Sequence, residues 1–202
     1  MLELVQPQPV GTPGLIALMA GFALFTLALL GARMRLGREP DAGPPARKST
    51  ASLIGIAIQG IALGLVGFGP ILAHLPPASP LAIEEGIAVS VLMLLAAGLF
   101  HASSRAMGRN WAVVAQTRSD HALVTNGPFA WVRNPIYVAI FALQPAFAIA
   151  FGHWRALIIG VPLYWLGTWL RVAQEEKLLR AQFGETYDAY ARRVKRFVPG
   201  II

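Results

Sequence analysis

No charged residue occurs between Glu3 and Arg33, and from Leu15 to Leu30 the chain is almost continuously apolar. A helix of that kind has no polar face to offer water. Spanning a bilayer core of about 30 Å takes roughly 20 mostly apolar helical residues, and this stretch is suited to it. Four more such stretches follow. The second is charge-free from Ser49 to Ile83, with its apolar centre between Leu53 and Leu72. The third runs from Gly86 to about Phe100, behind Glu84 and Glu85, which read as an N-terminal cap. The fourth spans Ile136 to Phe151, with a kink expected at Gln144-Pro145, and the fifth Ala156 to Leu170. Only Gly152-His153-Trp154-Arg155 separates these last two, which predicts an antiparallel helical hairpin.

Composition agrees with a membrane protein. Only 13% of the 202 residues are charged, against about 25% in a soluble domain, and 55% are hydrophobic, which excludes a disordered chain. A net charge of +7 and a pI near 10.6 raise the possibility of nucleic acid. The placement of the basic residues argues against it, because they collect between the apolar runs. If 33–50, 101–134 and 171–202 face the cytoplasm, sixteen of the seventeen Lys and Arg lie there and only Arg155 lies outside. That asymmetry is the positive-inside pattern. The first segment has Glu3 rather than a basic region before it, and Arg33, Arg35 and Arg38 after it. It reads as a retained helix and not a signal peptide.

The expected fold is therefore an all-α polytopic membrane helix bundle of about five transmembrane helices, N-out and C-in, forming one domain over 1–202. Residues 1–100 hold three helices with a Pro/Gly-rich linker at 37–50, and 101–202 form the second half. The absence of cysteine excludes thiolate metal sites, disulfides and Cys nucleophiles, and no metal is expected. The glycines at 64, 67 and 69 have no βαβ context and read as helix-packing positions. His74 and His153 read as interfacial, and the tryptophans as an aromatic belt.

Chemistry is expected in the polar segments of the second half. In the tail, Leu179, Phe183, Tyr187, Tyr190, Val194 and Phe197 recur at helical spacing, with Gly184 as a C-cap and a new helix near Thr186. Arg171 and Glu175 are one turn apart and can pair. The fifth apolar run has only 15 residues between Arg155 and Arg171. At about 1.5 Å per residue that falls short of a bilayer core, so Arg171 lies near the inner boundary.

The ordered set Gly127-Pro128-Phe129, Arg133-Asn134-Pro135-Ile136-Tyr137, Glu175-Glu176, Phe183-Gly184-Glu185-Thr186-Tyr187-Asp188-Ala189-Tyr190 and Arg196-Phe197-Val198-Pro199 resembles the isoprenylcysteine carboxyl methyltransferase family. Its relatives include the phospholipid methyltransferases. The resemblance covers about 108–199. Two positions depart from the pattern: Asn134 replaces the usual His, and Ala139 stands where many members carry Gly. The resemblance implies S-adenosylmethionine as methyl donor, in a cytoplasmic pocket formed by the 101–134 loop and the C-terminal helices. Within it, Glu175 and Glu176 suit the ribose or ammonium, and Arg133, Asn134 and His121 suit the carboxylate or the adenine edge. Leu123, Val124 and Tyr137 suit the ring, beside the Gly127-Pro128 turn. Arg171 suits an acceptor carboxylate, and with Glu175 forms the expected catalytic pair. The acceptor implied is a membrane lipid or lipid-like molecule, carrying a carboxylate, amine or thiol. The Ala-, Gly- and Arg-rich composition points to a bacterial inner membrane. Membrane sterol reductases share a similar C-terminal layout and bind NADPH, but that cofactor favours a more basic pocket than one holding two glutamates. A non-catalytic scaffold of the same fold is the third alternative.

Overall fold

The computed structural model describes residues 6–37, 50–108 and 122–201. Seven α-helices occur among them: α1 (Thr12–Gly37), α2 (Thr50–Gly67), α3 (Pro80–Met107), α4 (Pro135–Phe141), α5 (Leu143–Phe151), α6 (Leu157–Phe183) and α7 (Glu185–Arg193). Four segments, Thr12–Arg35, Thr50–Gly67, Pro80–Met107 and Trp154–Phe183, are long and apolar enough to cross a membrane, and the shorter apolar run Pro135–Phe151 accompanies them. This is an all-α polytopic membrane bundle. The linker at 38–49 and His121 lie outside the described residues.

The helices pack as two long pairs, α1 on α3 and α2 on α6, with α5 touching both members of each. That central place explains the composition of α5. Its Ala146, Ala148 and Ala150 are fully buried, and small side chains let neighbouring helices approach where no hydrophobic force drives them together. The outward faces are apolar instead, with Met19, Leu27, Leu94 and Ile158 among many exposed large side chains. Lipid is the solvent that suits such a surface.

Several expectations are corrected. The fourth helix is broken at Ala142 rather than at Gln144-Pro145. The cause is still Pro145, which has no N–H for the carbonyl four residues earlier and whose ring crowds it, and that carbonyl belongs to Phe141. Helix α2 stops at Gly67, and Leu72–Leu75 form a short strand, β2, parallel to β1 (Pro9–Gly11). Ser79, not the glutamates, caps α3, its hydroxyl accepting from the Ala82 N–H. Glu85 instead accepts the Gly11 N–H at 2.8 Å, fixing β1 to α3. Helix α3 runs on to Met107, so the 101–134 segment begins as helix. His153 is buried within the fold, where the end of α2 leaves carbonyls without helical donors. Its ring nitrogens lie 2.8 Å from the Val66 carbonyl and 3.1 Å from that of Pro70. The turn between α5 and α6 is tight as expected, with Gly152 at φ 74° and Gln8 packed against it.

The main correction for function concerns α6. It does not end near Arg171 but continues to Phe183, 27 residues in all. At about 1.5 Å per residue this is close to 40 Å, longer than the bilayer core, so its last turns project past it. Glycines at the crossing bring α6 against α2. A Cβ on Gly167 would lie 2.8 Å from the Gly55 carbonyl oxygen, and one on Gly55 would lie 2.5 Å from Cγ of Arg171.

Candidate active site

At the projecting end of α6 the tail folds back on the segment before α4. Gly184, at φ 50°, ends α6 and turns the chain into α7. Helix α7 buries Tyr187 and Tyr190. The Tyr190 hydroxyl donates to the Phe129 carbonyl at 2.6 Å, in the 3-10 turn Gly127–Ala130. Burial pushes its phenol up to about 12 and also raises Tyr187, so both remain protonated donors at neutral pH. Residues 195 and 196 then run beside 132–134. Arg133 N–H donates to the Lys195 carbonyl at 2.8 Å and Asn134 N–H to the Arg196 carbonyl at 3.0 Å. The Asn134 side-chain amide donates to that same Arg196 carbonyl at 3.3 Å. Phe197 closes the fold-back, packing with Tyr137 and Val172 and edge-on against Trp165.

One carboxylate ties these pieces together. Glu176 receives both arms of the Arg196 guanidinium at 2.8 Å and lies 3.1 Å from Arg133 Nη1 and 3.7 Å from Arg180. Arg196 also stacks over Trp169 at 4.8 Å, and its hydrogen bonds to Glu176 hold its guanidinium more firmly protonated. Arg133 Nη1 reaches the Tyr187 hydroxyl at 3.2 Å, whereas its Nε is buried with no hydrogen-bond partner among the described residues. Three guanidinium groups around one carboxylate leave an excess of positive charge.

The neighbouring Glu175 faces a different direction, since consecutive helical residues are about 100° apart. It accepts the Tyr137 hydroxyl and lies 4.0 Å from Arg171 Nη2. The Arg171 guanidinium sits 4.9 Å over the Tyr137 ring and donates to Oε1 of Gln59 on α2 at 3.0 Å. Gln59 in turn donates to Thr168 at 2.7 Å. The two acids also differ in access: the side chain of Glu175 remains 27% exposed and that of Glu176 only 5%. Glu175 is therefore the more accessible of the two, and Glu176 is committed to the tail.

The structure thus brings Arg133, Asn134 and Glu176 into one cluster and Tyr137, Arg171 and Glu175 into a second, adjacent through α6. Leu123 and Val124 are half-buried in the segment leading to the Gly127-Pro128 turn, and Gly127 takes φ 58°. Sequence reasoning missed Gln59 and Thr168, and it placed Tyr187, Tyr190 and Arg196 only within motifs. Gln59 carried a signal, as the one amide within an otherwise apolar span, because polar side chains inside a membrane are costly and usually engaged. Among the described residues no three His, Asp or Glu lie close enough together to hold a metal ion.

The fold and site define a membrane bundle whose C-terminal helices build a polar, arginine-rich cluster at one end. Residues 88–181 match the model of the Isoprenylcysteine carboxyl methyltransferase (ICMT) family, so this part of the chain is ICMT-like. Three relatives named protein-S-isoprenylcysteine O-methyltransferase are similar to it. The Schizosaccharomyces pombe protein is 31% identical over 87 residues, 43% of this chain and 37% of the relative. That of Tribolium castaneum is 35% identical over 98 residues, 46% of this chain and 33% of the relative. The Dictyostelium discoideum protein is 32% identical over 98 residues, 44% of this chain and 38% of the relative. The chain spans about a third of the length of these relatives.

Proposed function

We propose that the protein is an integral-membrane methyltransferase that takes its methyl group from S-adenosylmethionine and passes it to a lipid-like acceptor. The convergence of the ICMT-like residues carries this reading. Positions as far apart as 129 and 190, or 133 and 196, meet around the two glutamates of α6, and one of these acids is left the more accessible. The NADPH-reductase alternative gains nothing from these findings.

The residues present suit the donor. The donor's amino acid end carries a carboxylate, and Arg133, within the positive excess around Glu176, is the group to receive it. Glu175, the more accessible acid and beside Tyr137, suits the ribose hydroxyls or the ammonium; Leu123 and Val124 supply apolar wall. Glu176 contributes indirectly, by holding Arg133 and the tail in place. Asn134 spends its amide on the Arg196 carbonyl and so serves the same bracing role. When bound, the donor supplies a methyl carbon on a sulfonium, open to in-line attack by an acceptor nucleophile. This chain contributes position and water exclusion, which is where most of the rate in such a transfer arises. Arg171, between Gln59 and Glu175 at the membrane-facing side of the site, suits an acceptor carboxylate. The names of the relatives make an isoprenylated cysteine one acceptor to try; other lipid-like carboxylates, amines and thiols share the needed chemistry. The arginine-rich end, with 101–134 and the tail, faces the cytoplasm of a bacterial inner membrane in this reading, on the strength of the basic asymmetry.

Calorimetry on the detergent-solubilised protein tests the assignment. S-adenosylhomocysteine is expected to bind and NADPH is not. Binding of NADPH alone would overturn the assignment in favour of a reductase, and binding of neither would favour a scaffold.

A further inference from the structure

Apart from Gln59, the site described above draws its residues from the C-terminal part of the chain, positions 123–197. Gln59 comes from α2, outside the matched segment 88–181. It is 5% exposed, within the span Thr50–Gly67, and its amide is used at both ends. Nε2 donates to Thr168 Oγ1 at 2.7 Å, and Oε1 accepts from Arg171 Nη1 at 3.0 Å. The orientation is set by chemistry: a guanidinium only donates, so the carbonyl oxygen must face Arg171, and the hydroxyl of Thr168 can accept the amide. Tyr164, one turn before Thr168 on α6, donates its hydroxyl to the Tyr137 carbonyl at 2.7 Å. A polar chain therefore runs from Arg171 on α6 across to Gln59 on α2 and back to Thr168 on α6. The helices are built for this contact, since Gly55 and Gly167 allow α2 and α6 to meet backbone to backbone.

What the chain controls is the distance between Arg171 and Glu175. These residues are at i, i+4 on α6, a spacing at which Arg and Glu ordinarily pair. Here Nη2 stops 4.0 Å from the carboxylate, beyond hydrogen-bond distance, while Nη1 is held by Gln59 on the facing helix. In a low-dielectric setting the two charges attract strongly. Without the pull from α2 the guanidinium would close onto Glu175 and occupy the more accessible of the two glutamates.

We infer that Gln59 is a positioning residue: by holding the Arg171 guanidinium on α2, it keeps Glu175 open to the methyl donor. This rests on the reading of Glu175 as a donor contact. It gives the N-terminal half a part in the site, and it makes α2 placement a determinant of donor affinity.

The test uses S-adenosylhomocysteine calorimetry with thermal unfolding of the same full-length samples. Gln59→Leu removes the acceptor with little change in volume and is expected to weaken binding about tenfold, the scale of one charge-assisted hydrogen bond. Gln59→Glu retains an oxygen toward Arg171 and is expected to restore affinity. In a Glu175→Gln background, Gln59→Leu is expected to add nothing, because the acid it protects is gone. Wild-type affinity for Gln59→Leu would overturn the inference. So would an equal loss in Gln59→Glu, or a further loss in the Glu175→Gln background, either of which would mark Gln59 as a packing residue. A lowered unfolding midpoint with affinity lost in proportion would do the same. Failure of the underlying functional reading looks different: wild-type protein would not bind S-adenosylhomocysteine at all.

Discussion

Replacing Glu176 by Gln is expected to loosen the fold-back of the tail, and its size can be worked from the contacts. The substitution keeps the shape but removes the charge that Arg133, Arg180 and Arg196 share, and it turns an amide NH2 toward a guanidinium. Removing one partner of a buried ion pair costs about 3–5 kcal/mol. Two contacts pull the figure to the low end. Arg180 is 49% exposed and 3.7 Å away, and a pair of that kind is worth about 0–1 kcal/mol. Arg196 is a third exposed and keeps part of its hydration. Roughly 3 kcal/mol remains, and at about 1.4 kcal/mol per factor of ten this raises the opening constant of the fold-back about a hundredfold. Amide hydrogen exchange reads it directly, because the N–H groups of Arg133 and Asn134 donate to the Lys195 and Arg196 carbonyls and exchange only when the tail lifts. Peptides covering 132–134 and 187–194 should exchange about a hundred times faster in Glu176→Gln and remain unchanged in Glu175→Gln. Exchange within about threefold of wild type would refute the view that Glu176 is the anchor of the tail.

Gly167→Ala places a Cβ against the backbone of Gly55 and Gln59, which cannot rotate away. It should cost about 1–3 kcal/mol and lower the unfolding midpoint in detergent, whereas Gly60→Ala, which faces open space, should not. Asn134→His should leave S-adenosylhomocysteine affinity within about threefold of wild type, since the position braces the Arg196 carbonyl. A new pH step near the ordinary His value of about 6.5 would instead give position 134 a charged role. Cysteines introduced at Ala78 and Glu185 into this Cys-free chain should label from opposite sides of the membrane; labelling from one side would refute the proposed topology.

The charge-free runs made the bundle legible because a membrane span needs only length and the absence of charge. Gly152 and Gly184 were legible as stops, since each takes the positive φ that favours glycine. The continuation of α6 was not, because the change from apolar to charged residues at Arg171 marks a change of solvent and not the end of a helix. The break at Ala142 was misplaced by three residues for a similar reason: a proline acts on the carbonyl one turn before it. The site was legible as a set of residues but not as a set of partners. Glu175 and Glu176 look equivalent in sequence, yet the helix turns one toward Tyr137 and the other toward the tail. Gln59 meets Arg171 across a gap of 112 positions, and no local pattern reports such a pairing.

The central claim is that the end of α6 holds a methyl donor beside a lipid-facing acceptor site. Its most direct measurement is transfer of labelled methyl from S-adenosylmethionine into lipid-extractable product. The purified protein would be assayed in lipid nanodiscs with a farnesylated cysteine, a phospholipid amine and an isoprenoid thiol as acceptors. The account predicts transfer to at least one of these, lost in Glu175→Gln and retained in the exposed-tail control Arg192→Gln. Transfer undiminished in Glu175→Gln, or none from a wild-type protein given all three acceptors, would contradict it.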